Sequence, residues 1–241
     1  MPLAPRQIAF AFALFAALAC GPAYAAPQSA ARSNAKAPVA TQPTAAAAKT
    51  PAGAVITYKK VFKTSFPEFV EIKIDESGTG SSDIRQLDEE ATPQPFNVSP
   101  ALAQRIFQLA GQLHNFQGVD LEVHRRLANL GEKTFTFTRG AETHTTTFNY
   151  TLDESAAQLV NLFEGLAKQN GDLSDLTRTM RYDHLGVNDV LLQIENDYNT
   201  KQLPEPELLL PTLDQVAGDE KFVDIARTRA RTLASKIRNG K

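Results

Sequence analysis

An α+β fold built on an antiparallel sheet is what this sequence predicts, and three observations predict it. Val70, Ile72 and Ile74 alternate with Glu71, Lys73 and Asp75, the period of a strand with one buried and one wet face. Phe135 and Phe137 alternate in the same way with Thr134, Thr136 and Thr138. After each run come turn residues, a returning strand and a capped amphipathic helix. The expected product is a sheet of four or five strands with two helices on one face, made of two strand-turn-strand-helix units and followed by a small C-terminal helical region.

In the first unit, Glu76-Ser77-Gly78-Thr79-Gly80 supplies the turn and Ser82 to Leu87 the returning strand. Val55 to Phe62 is β-rich enough to lie beside them. Past a Pro-containing loop at 93–95, Ser99 offers a helix cap and Pro100 suits the first helical position. Leu102, Ile106, Leu109, Ala110 and Leu113 then recur at helical spacing. In the second unit Gly140 sits in the turn, Phe148 and Tyr150 mark the return, and Thr151-x-x-Glu154 resembles a capping box. Ala156, Leu159, Val160, Phe163, Leu166 and Ala167 form the next amphipathic stripe, which the pattern ends near residue 168. The units share no residue identity, so the repetition is one of architecture.

Residues 55–170 therefore read as the α+β domain and 171–241 as the helical region. Val187, Val190, Leu191, Ile194 and Tyr198 keep helical spacing. Pro204, Pro206 and Pro211 predict an extended connector across Leu203 to Pro211. Asp219-Glu220 are read as the opening of a last helix, whose stripe of Phe222, Ala226, Ala230, Leu233 and Ile237 should pack on Val190, Leu191 and Ile194. Its acidic start and basic end suit the helix dipole. Leu208, Leu209 and Leu210 need cover, and would form a docking site if these helices did not supply it.

The N-terminus reads as an address. Residues 1–25 have a positive Arg6, an uncharged run from Ile8 to Ala19 and a small-x-small site at Ala23-Tyr24-Ala25, the three parts of a secretory signal. The run is shorter than the roughly 20 residues a transmembrane helix takes, so the mature chain is expected to lack one. A competing reading makes Ala17-Leu18-Ala19-Cys20 a lipobox and Cys20 a lipid anchor; cleavage near Ala25 and a soluble periplasmic or secreted product is the favoured one. Residues 26–54 are almost wholly Ala, Pro, Thr, Ser and Gln, too poor in large apolar groups to offset the entropy of ordering, and read as a disordered linker.

Composition narrows the chemistry. Cys20 is the only cysteine, so a chain cut after it has no disulfide, thiolate nucleophile or thiolate metal site. A net charge of −2 gives no field that recruits nucleic acid. His114, His124, His144 and His184 lack the spacing of helical metal ligands. The acidic, Gly-rich stretch from Asp75 to Asp83 has Gln86 where a calcium loop needs its closing glutamate, so a hairpin is favoured. No nucleophile elbow, phosphate loop or dinucleotide fingerprint occurs. The cations of the last helix, Arg227, Arg229, Arg231, Lys236, Arg238 and Lys241, are spread around it and read as a solvated face. Without Trp the strongest platform for a sugar is missing, though five Tyr and fourteen Phe remain. No catalytic, metal or cofactor residue is assigned.

The run Phe66-Pro67-Glu68-Phe69-Val70-Glu71-Ile72-Lys73-Ile74-Asp75, the strand Lys133-Thr134-Phe135 with Phe148-Asn149-Tyr150-Thr151, and the turn Arg181-Tyr182-Asp183-His184-Leu185-Gly186 resemble a family of exported bacterial α+β proteins with no assigned activity. The resemblance spans roughly residues 58–239; it implies export and adds no activity. The expected function is a non-enzymatic binding or interaction module with a protein partner in the cell envelope. Its expected surface is the solvent face of the sheet, at Glu71, Lys73, Thr134, Thr136 and Thr138, or the leucines 208–210. Two other readings stay open. One is a hydrolase or other enzyme, favoured by a cleft holding a carboxyl of shifted pKa. The other is an envelope structural protein docked through its C-terminal helices.

Overall fold

The computed structural model describes residues 53–240. The residues read as a signal and as a linker, up to residue 52, and Cys20 lie outside them. Six strands form one antiparallel sheet: β1 (Val55–Val61), β2 (Phe69–Asp75), β3 (Thr79–Arg85), β4 (Gln94–Asn97), β5 (Glu132–Arg139) and β6 (Glu142–Phe148). Their order is β4-β3-β2-β1-β5-β6, so β1 lies at the centre and holds the two hairpins together. Its alternation explains the place: Ile56 and Tyr58 are fully buried, while Thr57 and Lys59 point to the other face.

The strand missing from the expected four or five is β4, in the stretch read as a Pro-containing loop. Pro95 stands opposite Ser81, and a strand at the sheet edge tolerates a residue that donates no hydrogen bond. The turn between β2 and β3 is a hairpin: Asp75 Oδ1 accepts hydrogen bonds from the Ser77 and Thr79 amides, and Gly78 has a φ of 86°. A Cβ on Gly78 would stand 2.7 Å from the Val98 carbonyl, so this turn needs glycine on both counts.

Among the described residues five α-helices complete the fold, α1 (Pro100–Gln112) between β4 and β5, then α2 (Glu154–Tyr182), α3 (Val187–Asn199), α4 (Leu210–Gly218) and α5 (Asp224–Arg238) after the sheet. Ser99 caps α1 by accepting the Leu102 amide. The cap of α2 is Asp153, which accepts the Ala156 amide, and not the expected Thr151; Thr151 accepts the Asp153 amide one step earlier. Nor does α2 end near residue 168. It runs 29 residues, about 43 Å, because Leu176 and Met180 continue its apolar stripe into a second core. Gly171 inside it weakens the helix without breaking it.

The first core lies between one sheet face and α1 and α2, with Ile56, Tyr58, Ile72, Ile74, Phe135 and Phe137 meeting Ile106, Leu109, Leu159, Phe163 and Leu166. The second gathers the end of α2 with α3, α4 and α5. There the stripe from Phe222 to Ile237 is buried against Leu191 and Ile194, with Val190 partly buried beside them. Two expectations for this region need correction. The connector at 203–211 is not extended: Pro206–Leu209 is a 3-10 turn and Leu210 opens α4. Each short helix has a proline in its first turn, where the missing N–H had no partner to lose. The last helix opens at Asp224 and not at Asp219-Glu220; Asp219 instead folds a turn by accepting the Lys221 and Phe222 amides.

The two cores are joined by more than α2. Glu205, nearly buried, accepts the backbone N–H of Ser99 with both carboxylate oxygens at 3.0 and 2.9 Å, and its own amide donates to Gln169 Oε1 at 3.0 Å. In a capping box the third helical residue serves the cap amide; here a carboxylate 106 residues away does so, at the positive end of α1. No helix among the described residues is long and apolar enough to cross a membrane.

Candidate functional site

The overrun of α2 past the sheet leaves a cleft. Its middle packs on β2 and β3, and beyond them the helix leaves the sheet to enter the second core. Between the helix and the strand ends is a space of about 1010 Å³. The sheet-side wall is formed by Tyr58 and Lys60 of β1, Ser65 to Glu68 of the β1–β2 connection, and residues of β3 and β4. The helix-side wall is α2 from Glu164 to Tyr182.

Two polar clusters stand on the helix wall. In the first, Glu164 Oε1 accepts hydrogen bonds from the Tyr58 hydroxyl at 3.0 Å and from Lys60 Nζ at 2.8 Å. Burial holds the Tyr58 phenol well above its ordinary range, and the charge and hydrogen bond of Glu164 add to that. Tyr58 is therefore a fixed hydroxyl donor. Nearby Lys133 donates to the carbonyls of Leu130, Gly131 and Asn149; burial, and then the like charge of Lys60, lower its pKa.

The second cluster lies one to two turns further along. Asp197 of α3 is buried, pairs with Lys168 Nζ at 3.0 Å and accepts from Gln193 at 2.9 Å. Beside it, burial pushes the Asp172 carboxyl up to about 7, and the negative charge of Asp197 adds to the effect while Lys168 opposes it. The buried Oδ2 of Asp172 has no hydrogen-bond partner. Asn170 Nδ2, buried in the same turn, also lacks a partner.

This pair sets a pH dependence whose sign is fixed. Folding raises the Asp172 pKa, so the native state binds more protons than the unfolded chain between about pH 4 and 7. Stability from Asp172 is complete below the unfolded pKa and is lost as pH rises through about 7. With a discount for partial exposure, the expected loss is about 2 kcal/mol. Urea unfolding at pH 5 and pH 8.5 should show this slope in the native chain and a flatter one in Asp172→Asn. Equal slopes would mean that Asp172 titrates normally.

The residues expected to form a surface are placed as follows. Glu71, Lys73, Thr134, Thr136 and Thr138 all lie on the sheet face opposite α1 and α2. Register puts Lys73, Thr57 and Thr136 in one row and Glu71, Lys59 and Thr134 in the next. Their polar groups are engaged with one another. Glu71 pairs with Lys73, and Thr134–Thr147 and Thr136–Thr145 hydroxyl contacts measure 3.2 Å each. Thr138 stands opposite Thr143. Such pairs stabilise a wet face. The leucines do not form one patch: Leu209 is fully buried in the second core, Leu210 partly so, and Leu208 is half-exposed. The helices thus cover Leu209 fully and Leu210 in part, and leave Leu208 half-exposed.

No group of three metal-ligating side chains occurs among the described residues. His124 pairs with Asp120 at 2.7 Å on the surface, and His184 meets the edge of Phe222. Sequence reasoning missed the cleft, since Lys168, Asn170 and Asp172 read as an ordinary wet helix face. A usable signal was Phe66, a large apolar residue in a strand connection, with Tyr182 beyond the expected helix end. The chain matches no model of a known protein family, and no curated protein matches it.

Proposed function

We propose that this chain is an exported binding module whose site is the cleft between α2 and the ends of β1–β3. The observation that carries this reading is the cleft itself. At about 1010 Å³ it is at the upper end of the size range of small-molecule sites, and its lining combines Tyr58, Phe66, Phe96 and Tyr182 with many polar and charged side chains. The secretory signal read in residues 1–25 supports export.

Gly171 provides the test. It lines the cleft, and a Cβ there would meet nothing within 4 Å. Gly171→Trp should therefore project an indole into the cleft, obstruct it and leave the fold intact. Full-length protein recovered from its native envelope and examined by native mass spectrometry is expected to carry a non-covalent ligand. Gly171→Trp should lose it while keeping its melting temperature within a few degrees. Retention of the ligand by the Trp variant would move the site elsewhere.

A second reading, an enzyme using acid–base chemistry, is favoured by one observation: Asp172 in the cleft wall with its pKa near neutrality. The binding reading ranks above it because the shift of Asp172 arises from burial and from the charge of Asp197 on α3, a structural contact between two helices.

A further inference from the structure

The cleft has two exposed aromatic rings, one on each wall. Phe66, in the β1–β2 connection, is 91% exposed, and Tyr182, at the end of α2, is 76% exposed. Neither contributes to a core, and leaving such rings in water forgoes the stabilisation that burial would bring. Both open onto a concavity that can accept a ligand with flat apolar faces.

Charge indicates what kind of ligand. The cations of the cleft are already matched by anions or aromatic groups. Lys60 pairs with Glu164 at 2.8 Å, Arg85 with Asp83 at 3.0 Å, Lys168 with Asp197 at 3.0 Å and Arg178 with Asp175 at 2.9 Å. Arg181 sits 5.9 Å from the ring centre of Tyr182. These pairings leave little to recruit an anion, while Glu68 and Glu89 accept backbone amides, from Leu87 and Gln86. Among the neutral polar side chains of the lining, Gln94 and Ser174 can donate and accept, while the Ser65 and Thr177 hydroxyls donate to backbone carbonyls and offer a ligand only their lone pairs. The neighbouring sheet edge also argues against a peptide strand. β4 has only four residues, and Pro95 among them offers no N–H.

We propose that the cleft binds a neutral oligosaccharide, its sugar rings packed on the faces of Phe66 and Tyr182 and its hydroxyls on the amide and hydroxyl side chains between them. This rests on the reading of the cleft as the binding site. An elongated ligand suits a cleft whose two rings stand on different walls, and a sugar presents apolar C–H faces and neutral hydroxyls together.

The test is calorimetric titration of the full-length protein with chitohexaose, cellohexaose and maltohexaose, with polygalacturonate and an unstructured peptide mixture as contrasts. At least one neutral hexaose is expected to bind saturably. Phe66→Ala and Tyr182→Ala should each weaken it about tenfold or more, and Gly171→Trp should abolish it. Both aromatic side chains are exposed, so unchanged melting temperatures will separate lost contact from lost fold. Binding of none of the three sugars overturns the proposal, as does an affinity that both alanine variants leave untouched. Binding of only the peptide or the polyanion, blocked by Gly171→Trp, keeps the cleft as the site and overturns its assignment to sugar. Sugar binding that survives Gly171→Trp overturns the placement in the cleft.

Discussion

Replacing Phe135 with alanine should cost about 3–5 kcal/mol, the largest loss expected from any single truncation in the sheet core. Phe135 is fully buried on β5, and its ring meets four others drawn from four different elements. Phe116, just after α1, stacks on it at 5.1 Å; Tyr58 of β1 lies at 5.4 Å, Phe148 of β6 at 5.6 Å and Phe163 of α2 at 6.0 Å. The cavity left by Phe135→Ala would be lined by rigid rings that cannot collapse inward, the circumstance in which the cavity cost is highest. A domain of this size has a total stability of about 5–15 kcal/mol, so the variant should unfold at a much lower urea concentration with an unchanged slope. The cleft feels the change too, because Tyr58 presents its hydroxyl to Glu164 from this cluster. A loss below about 1 kcal/mol would show that the five rings do not pack as one unit.

The second large effect is expected at Gly165, in the middle of α2. There the helix passes so close to the connector that a Cβ would stand 2.8 Å from the Gln202 carbonyl oxygen and 2.8 and 2.9 Å from ring carbons of Pro204. Real Cβ atoms do not approach backbone so closely, and neither the carbonyl nor the proline ring is a flexible end that can swing away. Gly165→Val should cost about 3 kcal/mol, the upper end of the range for overpacking, despite the gain in backbone rigidity. It should also act at a distance. Moving the connector displaces Glu205, which holds the Ser99 amide at the start of α1. Hydrogen exchange should therefore speed up at the first turn of α1 as well as in residues 200–206. Native protection at α1 in this variant would mean that the two cores are not coupled through Glu205.

Sequence by itself determined the α+β class, the two hairpins and the stripes of the helices, for a physical reason. Alternation at period two and recurrence at 3.6 are local properties of backbone geometry, and Ile72, Phe137, Leu159 and Leu233 announce their buried faces through near neighbours alone. The Ser99 cap was legible on the same grounds. What was not legible depended on partners distant in the chain. Pro95 forbids a central strand but not an edge one, and only the sheet order shows that β4 is an edge. Prolines 206 and 211 break a continuing helix yet suit the first turn of a new one, a choice made by the burial of Leu209 and Leu213 in the second core. The length of α2 was decided by Leu176 and Met180 joining a second core in which α2 packs on α3 and α4.

The cleft belongs to this second category throughout. Asp172 is an unremarkable acidic residue until α3 brings Asp197 beside it, and Glu205 is a solvated carboxylate until the connector delivers it to α1. Phe66 and Tyr182 are 116 positions apart, and nothing local to either states that they border the same space. Side-chain periodicity determines which face of an element is buried; which elements meet, and what cavity they leave between them, is settled only by packing.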